Sequence, residues 1–278
     1  MTIDNITQLR AWRPPYRPNP IIEDGILLPE TTMMLFAAAG SWKTMTSTHL
    51  ACCIATGTSW FGFQTLPATV LSIQVEMPKL LMKDRTMKYI DGPAQVKTSN
   101  LWFQTPSDDV LIDTTFGALA LEKSIEEVLK RRVDDKLPLV LMLDPLYLLM
   151  AGHISDEYDA KKFQRNLNAF RRKYHITTII IHHSRLSKAD NEGKIIDLGA
   201  EELMGSSYWN NWFDTIMRLK VQNPFSGSDV IKYDFSKTRN AQAFLPSFVV
   251  QWDRHTLIPY VVQRDIVEAE DPSIRDLL

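Results

Sequence analysis

Residues 33–46 read Met-Met-Leu-Phe-Ala-Ala-Ala-Gly-Ser-Trp-Lys-Thr-Met-Thr, and this stretch decides the fold. Its apolar beginning predicts a buried strand, and a run of small residues separates that strand from a helical pattern that starts near Lys43. Small side chains let the backbone of a loop approach a ligand closely. The stretch therefore predicts a strand, a tight loop and a helix in direct succession.

This succession matches the layout of a phosphate loop, Gly-x-x-x-x-Gly-Lys-[Ser/Thr], whose backbone N–H groups surround a phosphate at the start of a helix. We expect Lys43 to reach the β- and γ-phosphates of ATP and the Thr44 hydroxyl to complete a Mg2+ shell. The expected nucleotide-binding residues are Ala38, Ala39, Gly40, Ser41, Trp42, Lys43 and Thr44.

The match to the motif is incomplete, because Ala37 and Trp42 stand where the two outer glycines belong. Trp42 fits only if its backbone suits the loop and its ring points outward, since a residue with a Cβ adopts a positive φ at a cost. The alternative is an ordinary strand-to-helix connection with a chance Lys-Thr pair, so the rest of the chain must decide.

Composition limits the class of protein. The chain has 278 residues, of which 45% are hydrophobic and 23% charged, as in globular proteins with a sizeable core. A formal charge of −2 excludes a generally basic nucleic-acid coat, so any such contact needs a local patch. Cys52 and Cys53 are expected to be buried thiols, which favours a reducing cytoplasm. No apolar run is long enough for a membrane span.

The order of elements predicts an α/β fold with a mostly parallel sheet. A proline-rich arm or linker that cannot form a regular helix (1–24) precedes one domain (25–263), and an acidic tail (264–278) follows. Strands are expected at 32–37, 69–75, 100–104, 138–143 and 177–182, and helices at 43–56, 78–90, 118–132 and 158–173. Closely spaced strands at 212–220, 230–237, 248–252 and 257–262 predict an antiparallel extension of the same sheet.

Two acidic residues end predicted strands. Asp144 follows an apolar strand directly, which is where a phosphate-loop enzyme holds the Mg2+ shell, although a turn or helix-capping role is the alternative. Glu76 closes the strand at 69–75, from which a carboxylate can orient and deprotonate the attacking water. The alternative for Glu76 is an acid that caps the following helix.

Together with residues 37–44, Glu76, Asp144 and the late Lys237-Thr-Arg-Asn240, the chain resembles the RecA-like ATPase core of hexameric replicative helicases, the DnaB and RepA group, over about residues 25–262. The resemblance implies that Glu76 is the catalytic base. It also implies an arginine finger, Arg239, with Lys237 as its companion, both supplied to the nucleotide of a neighbouring subunit. A solvated turn is the alternative for residues 237–240.

Paired histidines end the strand at 177–182, where the resemblance implies a polar sensor of the γ-phosphate. His183 is the first choice and His182 the second, because a neutral imidazole can donate one hydrogen bond and accept another. Adjacent strand residues point to opposite faces, so the pair is not expected to bind one metal ion. Burial of a satisfied histidine in the core is the alternative.

The resemblance further implies a ring, expected to be a hexamer, that moves along single-stranded DNA in replication. Residues 152–162 and 184–205 are the candidate DNA-contacting segments; the second carries Arg185, Lys188 and Lys194 but also acids. Trp209 and Trp212 are expected to pack rather than stack on bases. The alternative function is a RecA-like recombination mediator, loader or scaffold that binds nucleotide without sustained motor activity.

Overall fold

The computed structural model describes residues 3–11, 19–92, 94–105, 110–184, 207–222 and 229–265. Its helices are α1 (Ile6–Ala11), α2 (Lys43–Thr56), α3 (Lys79–Ile90), α4 (Thr115–Arg131), α5 (Glu157–Tyr174) and α6 (Ser207–Trp212), with a short 3-10 helix at Leu146–Leu149. Its strands are β1 (Thr32–Ala37), β2 (Thr69–Gln74), β3 (Leu101–Gln104), β4 (Leu139–Asp144), β5 (Ile176–His183), β6 (Thr215–Val221), β7 (Val230–Thr238), β8 (Phe248–Trp252) and β9 (Pro259–Arg264).

The strands form one sheet in the order β3-β2-β4-β5-β1-β6-β7-β8-β9. Neighbours from β3 to β6 run parallel, and β6 to β9 continue the sheet as antiparallel pairs. This confirms the α/β architecture and the antiparallel extension expected from the sequence. The strand before the loop, β1, lies between β5 and β6, so the loop at its carboxyl end sits near the middle of the sheet.

Both faces of the parallel part are covered, which explains the unbroken apolar runs. On β1, Met33 and Leu35 belong to the core on the side of α2, whereas Met34 and Phe36 belong to the opposite core with residues of α4 and α5. Every residue of β1 and β4 is buried. A strand buried on both faces has no position for a solvated side chain, so polar alternation is lost.

The amino-terminal segment departs from the sequence prediction. The expectation that it cannot form a regular helix is wrong for α1, which precedes the prolines and is stabilised by reciprocal bonds between Asn5 and Gln8, each 2.9 Å long. Ile21 and Ile22, which the sequence places in the arm, are fully buried in the core. The acidic tail lies outside the described residues from 266 onward.

Trp209 is fully buried and packs edge-on against Phe163, and its indole N–H donates to the Ile154 carbonyl at 2.9 Å. Trp212 is half-buried beside it. Both observations support packing as the role of these tryptophans. None of the described helices has the length and apolar character needed to cross a membrane.

Candidate active site

A cavity of about 680 Å3 opens where β1, β2 and β5 end. Its wall contains the loop after β1, the segment after β2 and the last residue of β5, and the turn between β8 and β9 closes its far side. Parallel strands bring their carboxyl ends to one edge of the sheet, which is the usual place for a ligand in an open α/β fold. Glu76, Lys43 and His183, which are far apart in sequence, therefore share one cavity.

The loop between β1 and α2 has the conformation of a phosphate cradle. Gly40 and Trp42 both have left-handed backbones, with φ of 74° and 61°. Within the described part of the chain, no backbone N–H group from Ala39 to Trp42 donates a hydrogen bond, and the first bond of α2 runs from Thr46 N to Trp42 O. Unpaired N–H groups at a helix start favour an anion, so these residues fit a phosphate group.

Contacts with distant segments hold Trp42 in its left-handed conformation. Its ring stacks on that of Trp252, with centroids 5.1 Å apart and planes inclined by 10°. Its indole N–H donates to Asp229 Oδ1 at 3.2 Å. The ring thus points away from the cradle, as the sequence required, and tertiary contacts offset the steric cost of a positive φ at a bulky residue.

Lys43 lies at the start of α2 and is 8% exposed. Its Nζ donates to the carbonyl of Ala38 at 2.5 Å, so the ammonium lies across the loop. Burial lowers the pKa of Lys43 to about 8, and the carboxylates of Asp144 and Glu76 oppose that shift. A partly desolvated cation within the loop is suited to a polyphosphate.

Asp144 is 3% exposed at the end of β4. Burial raises its pKa to about 7 and the negative charge of Glu76 adds to the shift, while Lys43 and a 3.3 Å bond from Ser47 Oγ oppose it. Thr44, Ser47 and Asp144 line one pocket and offer only oxygen ligands, which Mg2+ prefers. In the same pocket, Gln74 Nε2 is buried without a partner in the described chain. The oxygen donors of Thr44, Ser47 and Asp144 suit Mg2+.

Glu76 and His183 form the wall facing Lys43. Glu76 is exposed to the cavity just beyond β2. His183 pairs with Ala37 across the sheet and contacts Tyr147 edge-on at 5.3 Å. Burial and the charge of Lys43 lower the pKa of His183, which favours the neutral imidazole. His182 is fully buried and is not part of the cavity wall, whereas His183 lines the cavity.

Arg239 and Lys237 lie near the opposite end of β1 from the loop. Arg239 donates to Asp214 Oδ1 at 2.8 Å, and Asp214 Oδ2 accepts from the N–H of Thr32, the first residue of β1, at 2.9 Å. Lys237 Nζ donates to the Asn210 carbonyl at 2.7 Å. Neither cation lines the cavity. They cannot contact a nucleotide held by their own subunit, as the trans assignment requires.

Of the two candidate DNA-contacting segments, only residues 152–162 lie wholly within the described part of the chain. Positions 185–205 lie outside the described residues. The loop before α5 is fixed by acids: Asp113 accepts from the N–H groups of Ala151 and Gly152 at 2.8 and 2.9 Å, and Asp159 accepts from His153 N at 2.8 Å. The cations of the segment 152–162 are Lys161 and Lys162, which are exposed on α5, where Lys161 pairs with Glu157.

Several residues of the site were not predicted from the sequence. Arg85 on α3 lines the cavity, but it looks like one more cation on a solvated helix face. Ser47 could have been found, because it follows Thr44 by three positions and so lies on the same helix face. Asp229 and Arg254 carry no signal in the sequence that links them to the loop.

Comparison with protein-family models gives a match to AAA_25, described as an AAA domain, over residues 4–189. No curated protein matches the chain in sequence.

Solved structures share the fold at low sequence identity. One is a DnaB-like replicative helicase described with its interactions with primase (TM-score 0.59, 11% identity), and the match covers 84% of this chain and 59% of that one. Another is the ATPase domain of G40P (TM-score 0.55, 12% identity), covering 84% and 85%. A third is the KaiC-like protein PH0186 of Pyrococcus horikoshii OT3 (TM-score 0.55, 14% identity), covering 90% and 100%. These likenesses confirm the RecA-like fold, and the chain spans about 59% of the length of the first helicase.

Proposed function

Since this chain belongs to the AAA_25 family of AAA domains, we propose that it is a Mg2+-dependent ATPase that works as a ring-forming motor on single-stranded DNA. The observation that carries the proposal is the cavity in which the phosphate loop, Glu76 and His183 meet, with Asp144 directly behind the loop. The sequence places Glu76, Asp144 and His183 at strand ends, and their expected partners are the attacking water, Mg2+ and the γ-phosphate respectively.

The residues of the phosphate loop and Asp144 would have separate roles in hydrolysis. The N–H groups from Ala39 to Trp42 and the Lys43 ammonium bind the phosphates and hold them in one orientation. The hydroxyl of Thr44 and the carboxylate of Asp144 would hold Mg2+, which supplies charge neutralisation at the phosphate oxygens when it is bound. Asp144 must lose its proton to do so, and the nearby Lys43 favours that ionisation.

Glu76 would accept the proton of the attacking water. It is exposed to the cavity and lies across it from Lys43. His183 would donate to the γ-phosphate and report its loss through β5. Tyr147 packs against the imidazole and restricts its orientation.

The position of Arg239 supports a ring, because its guanidinium lies near the amino end of β1 and the phosphate loop lies at the carboxyl end. A head-to-tail contact between subunits brings the two ends together, and repeating it closes into a ring if the rotation allows. Arg239, with Lys237 beside it, would then stabilise charge on the phosphoryl group of the neighbouring nucleotide.

Subunit mixing tests the proposal. Glu76→Gln and Arg239→Ala should each bind ATP and lose at least about 10³-fold in turnover. Their mixture should recover activity, because an Arg239→Ala subunit keeps its own Glu76 and can receive Arg239 from a Glu76→Gln neighbour. The matched control is Arg131→Ala, an exposed arginine on α4 outside the cavity, which should leave turnover unchanged. Two inactive variants that stay inactive after mixing would refute the trans arrangement.

A second function, a nucleotide-dependent loader or scaffold without sustained motor activity, is favoured by one observation. The described loop before α5 is acidic and pinned by Asp113, so it supplies no DNA-gripping charge. Turnover measured with and without single-stranded DNA separates the two functions. A motor should be stimulated by DNA, whereas a scaffold should hydrolyse slowly at the same rate in both conditions.

A further inference from the structure

The guanidinium of Arg239 is held at the protein surface by three hydrogen bonds of this residue. Its side chain is 50% exposed, yet Nη1 donates to Asp214 Oδ1 at 2.8 Å and Nη2 donates to the Asn211 carbonyl at 3.0 Å. The backbone N–H of Arg239 also donates to the Asp214 carbonyl, at 2.9 Å. An arginine side chain loses rotamer entropy when it is fixed in one geometry, so a guanidinium that is already held loses less when it meets a ligand.

Asp214 is itself fixed by the first residue of β1. Its Oδ2 accepts from the backbone N–H of Thr32 at 2.9 Å and from the Thr32 hydroxyl at 3.1 Å. Its backbone N–H donates to the Thr32 carbonyl at 3.0 Å. Thr32 is fully buried, and the side chain of Asp214 is 15% exposed. The carboxylate thus bonds β1 through one oxygen and Arg239 through the other, so a strand in the middle of the sheet sets the position of the guanidinium.

Asp214 also supplies negative charge where several cations converge. Burial and the charge of Arg239 lower the pKa of Lys237, and Asp214 opposes that shift. Burial lowers the pKa of Arg171 as well, and Asp214 again opposes the shift. Arg171 and Arg239 line one surface pocket together with Asp214. Without this carboxylate, like charges would face one another, and repulsion would displace Arg239, the most exposed of the three cations.

We propose that Asp214 is a positioning residue for hydrolysis in the neighbouring subunit: its carboxylate holds the Arg239 guanidinium in the orientation in which it meets that subunit's nucleotide. This inference rests on the proposed function, because Arg239 acts only where a second subunit presents phosphates to it. A guanidinium has further N–H donors besides the two that Asp214 and Asn211 engage in the described part of the chain. Donors therefore remain for phosphoryl oxygens while Asp214 keeps its bond.

Asp214→Asn tests the proposal, because asparagine keeps the shape of the side chain and an oxygen for the N–H of Thr32 but removes the charge. The variant should bind ATP with unchanged affinity and lose about 10²-fold in kcat, the usual cost of a misplaced catalytic group. Mixing it with Glu76→Gln subunits should restore turnover, because these supply an intact Asp214 and Arg239 to the site of the Asp214→Asn subunit. A purely structural role of Asp214 within its own subunit would not produce this recovery.

Two further variants sharpen the test. Adding Asp214→Asn to Arg239→Ala should cause no further loss of turnover, since Asp214 acts through that arginine. Asp214→Glu keeps the charge but lengthens the side chain, so it should give a smaller loss that the same mixing relieves. It also carries the mixing test if Asp214→Asn does not fold.

Glu127→Gln is the matched control, because it removes an exposed carboxylate that pairs with an arginine on α4, and it should leave turnover unchanged. Wild-type turnover of Asp214→Asn would overturn the proposal. A defect that mixing does not relieve would also overturn it, because Asp214 would then act on its own phosphate loop through β1. Failure of the proposed function has a different result: Arg239→Ala would itself hydrolyse ATP at the wild-type rate.

Discussion

Replacement of Asp144 by Asn should stabilise the folded chain increasingly as the pH rises from about 5 to about 8. Burial raises the pKa of Asp144 from its ordinary value of 3.8 to about 7. Between these values the folded chain holds a proton that the unfolded chain has lost. The wild-type free energy of unfolding therefore falls as the pH rises through this window, and an asparagine, which does not titrate, removes the fall.

The magnitude follows from the two pKa values. Each unit of difference corresponds to about 1.4 kcal/mol, so the cost of the ionised Asp144 approaches about 4 kcal/mol above pH 7. Of this, more than half, about 2 to 3 kcal/mol, develops between about pH 5 and about pH 8, after the unfolded carboxylate has already ionised. The Ser47 bond favours the ionised carboxylate, and its effect is already contained in the pKa of about 7.

Urea unfolding of wild type and Asp144→Asn at both pH values measures this difference. Asp113→Asn is the matched control, because Asp113 is also buried but accepts two backbone N–H bonds, and its loss should destabilise the fold at both pH values. A stability difference between wild type and Asp144→Asn that does not change with pH would refute the reasoning, since Asp144 would then have the same pKa in both states.

Three further substitutions have defined outcomes. Lys43→Met should raise the free energy of unfolding at neutral pH and abolish nucleotide binding; because burial lowers the pKa of Lys43 to about 8, the gain should shrink as the pH rises from about 8 to about 10.5 in urea titrations. Trp42→Ala should lower the free energy of unfolding by about 2 kcal/mol, because alanine loses the stack on Trp252 that offsets the cost of the left-handed backbone, whereas Trp42→Phe should keep most of the stack. Tyr233→Phe should cost about 1 to 2 kcal/mol in thermal unfolding, because it leaves the buried Thr46 hydroxyl without its 2.8 Å partner.

Local pattern was sufficient to predict most elements and the hydrolytic half of the site. Apolar runs mark β1, β2, β4 and β5, and a side chain just after a parallel strand must lie at the same edge as its neighbours. Glu76 was predicted from its position at a strand end, and His183 from the resemblance to replicative helicases; both line the cavity with Lys43. The helix α1 was missed because the prolines that follow it outweighed the reciprocal capping by Asn5 and Gln8.

The other half of the cavity could not be predicted, because its members come from separate segments with no local signature. Trp42 and Asp229 are 187 positions apart, and the hydrogen bond between them exists only because β6 and β7 fold beside β1. Arg254 looks like any exposed cation in a turn. Pairing of this kind is a property of the tertiary structure, which propensity and periodicity do not encode.

The left-handed backbone at Trp42 has a consequence for how such loops can change over evolutionary time. A glycine would adopt this conformation without support, but the indole depends on Trp252 and Asp229 for it. The shape of the loop thus depends on the residues at positions 42, 229 and 252 together. A small residue at position 252 should be tolerated only when position 42 is glycine. Chains of this kind share a backbone torsion with the glycine-containing loops while sharing no glycine at that position, so coupled substitution of two aromatic residues is the trace that such loops should leave.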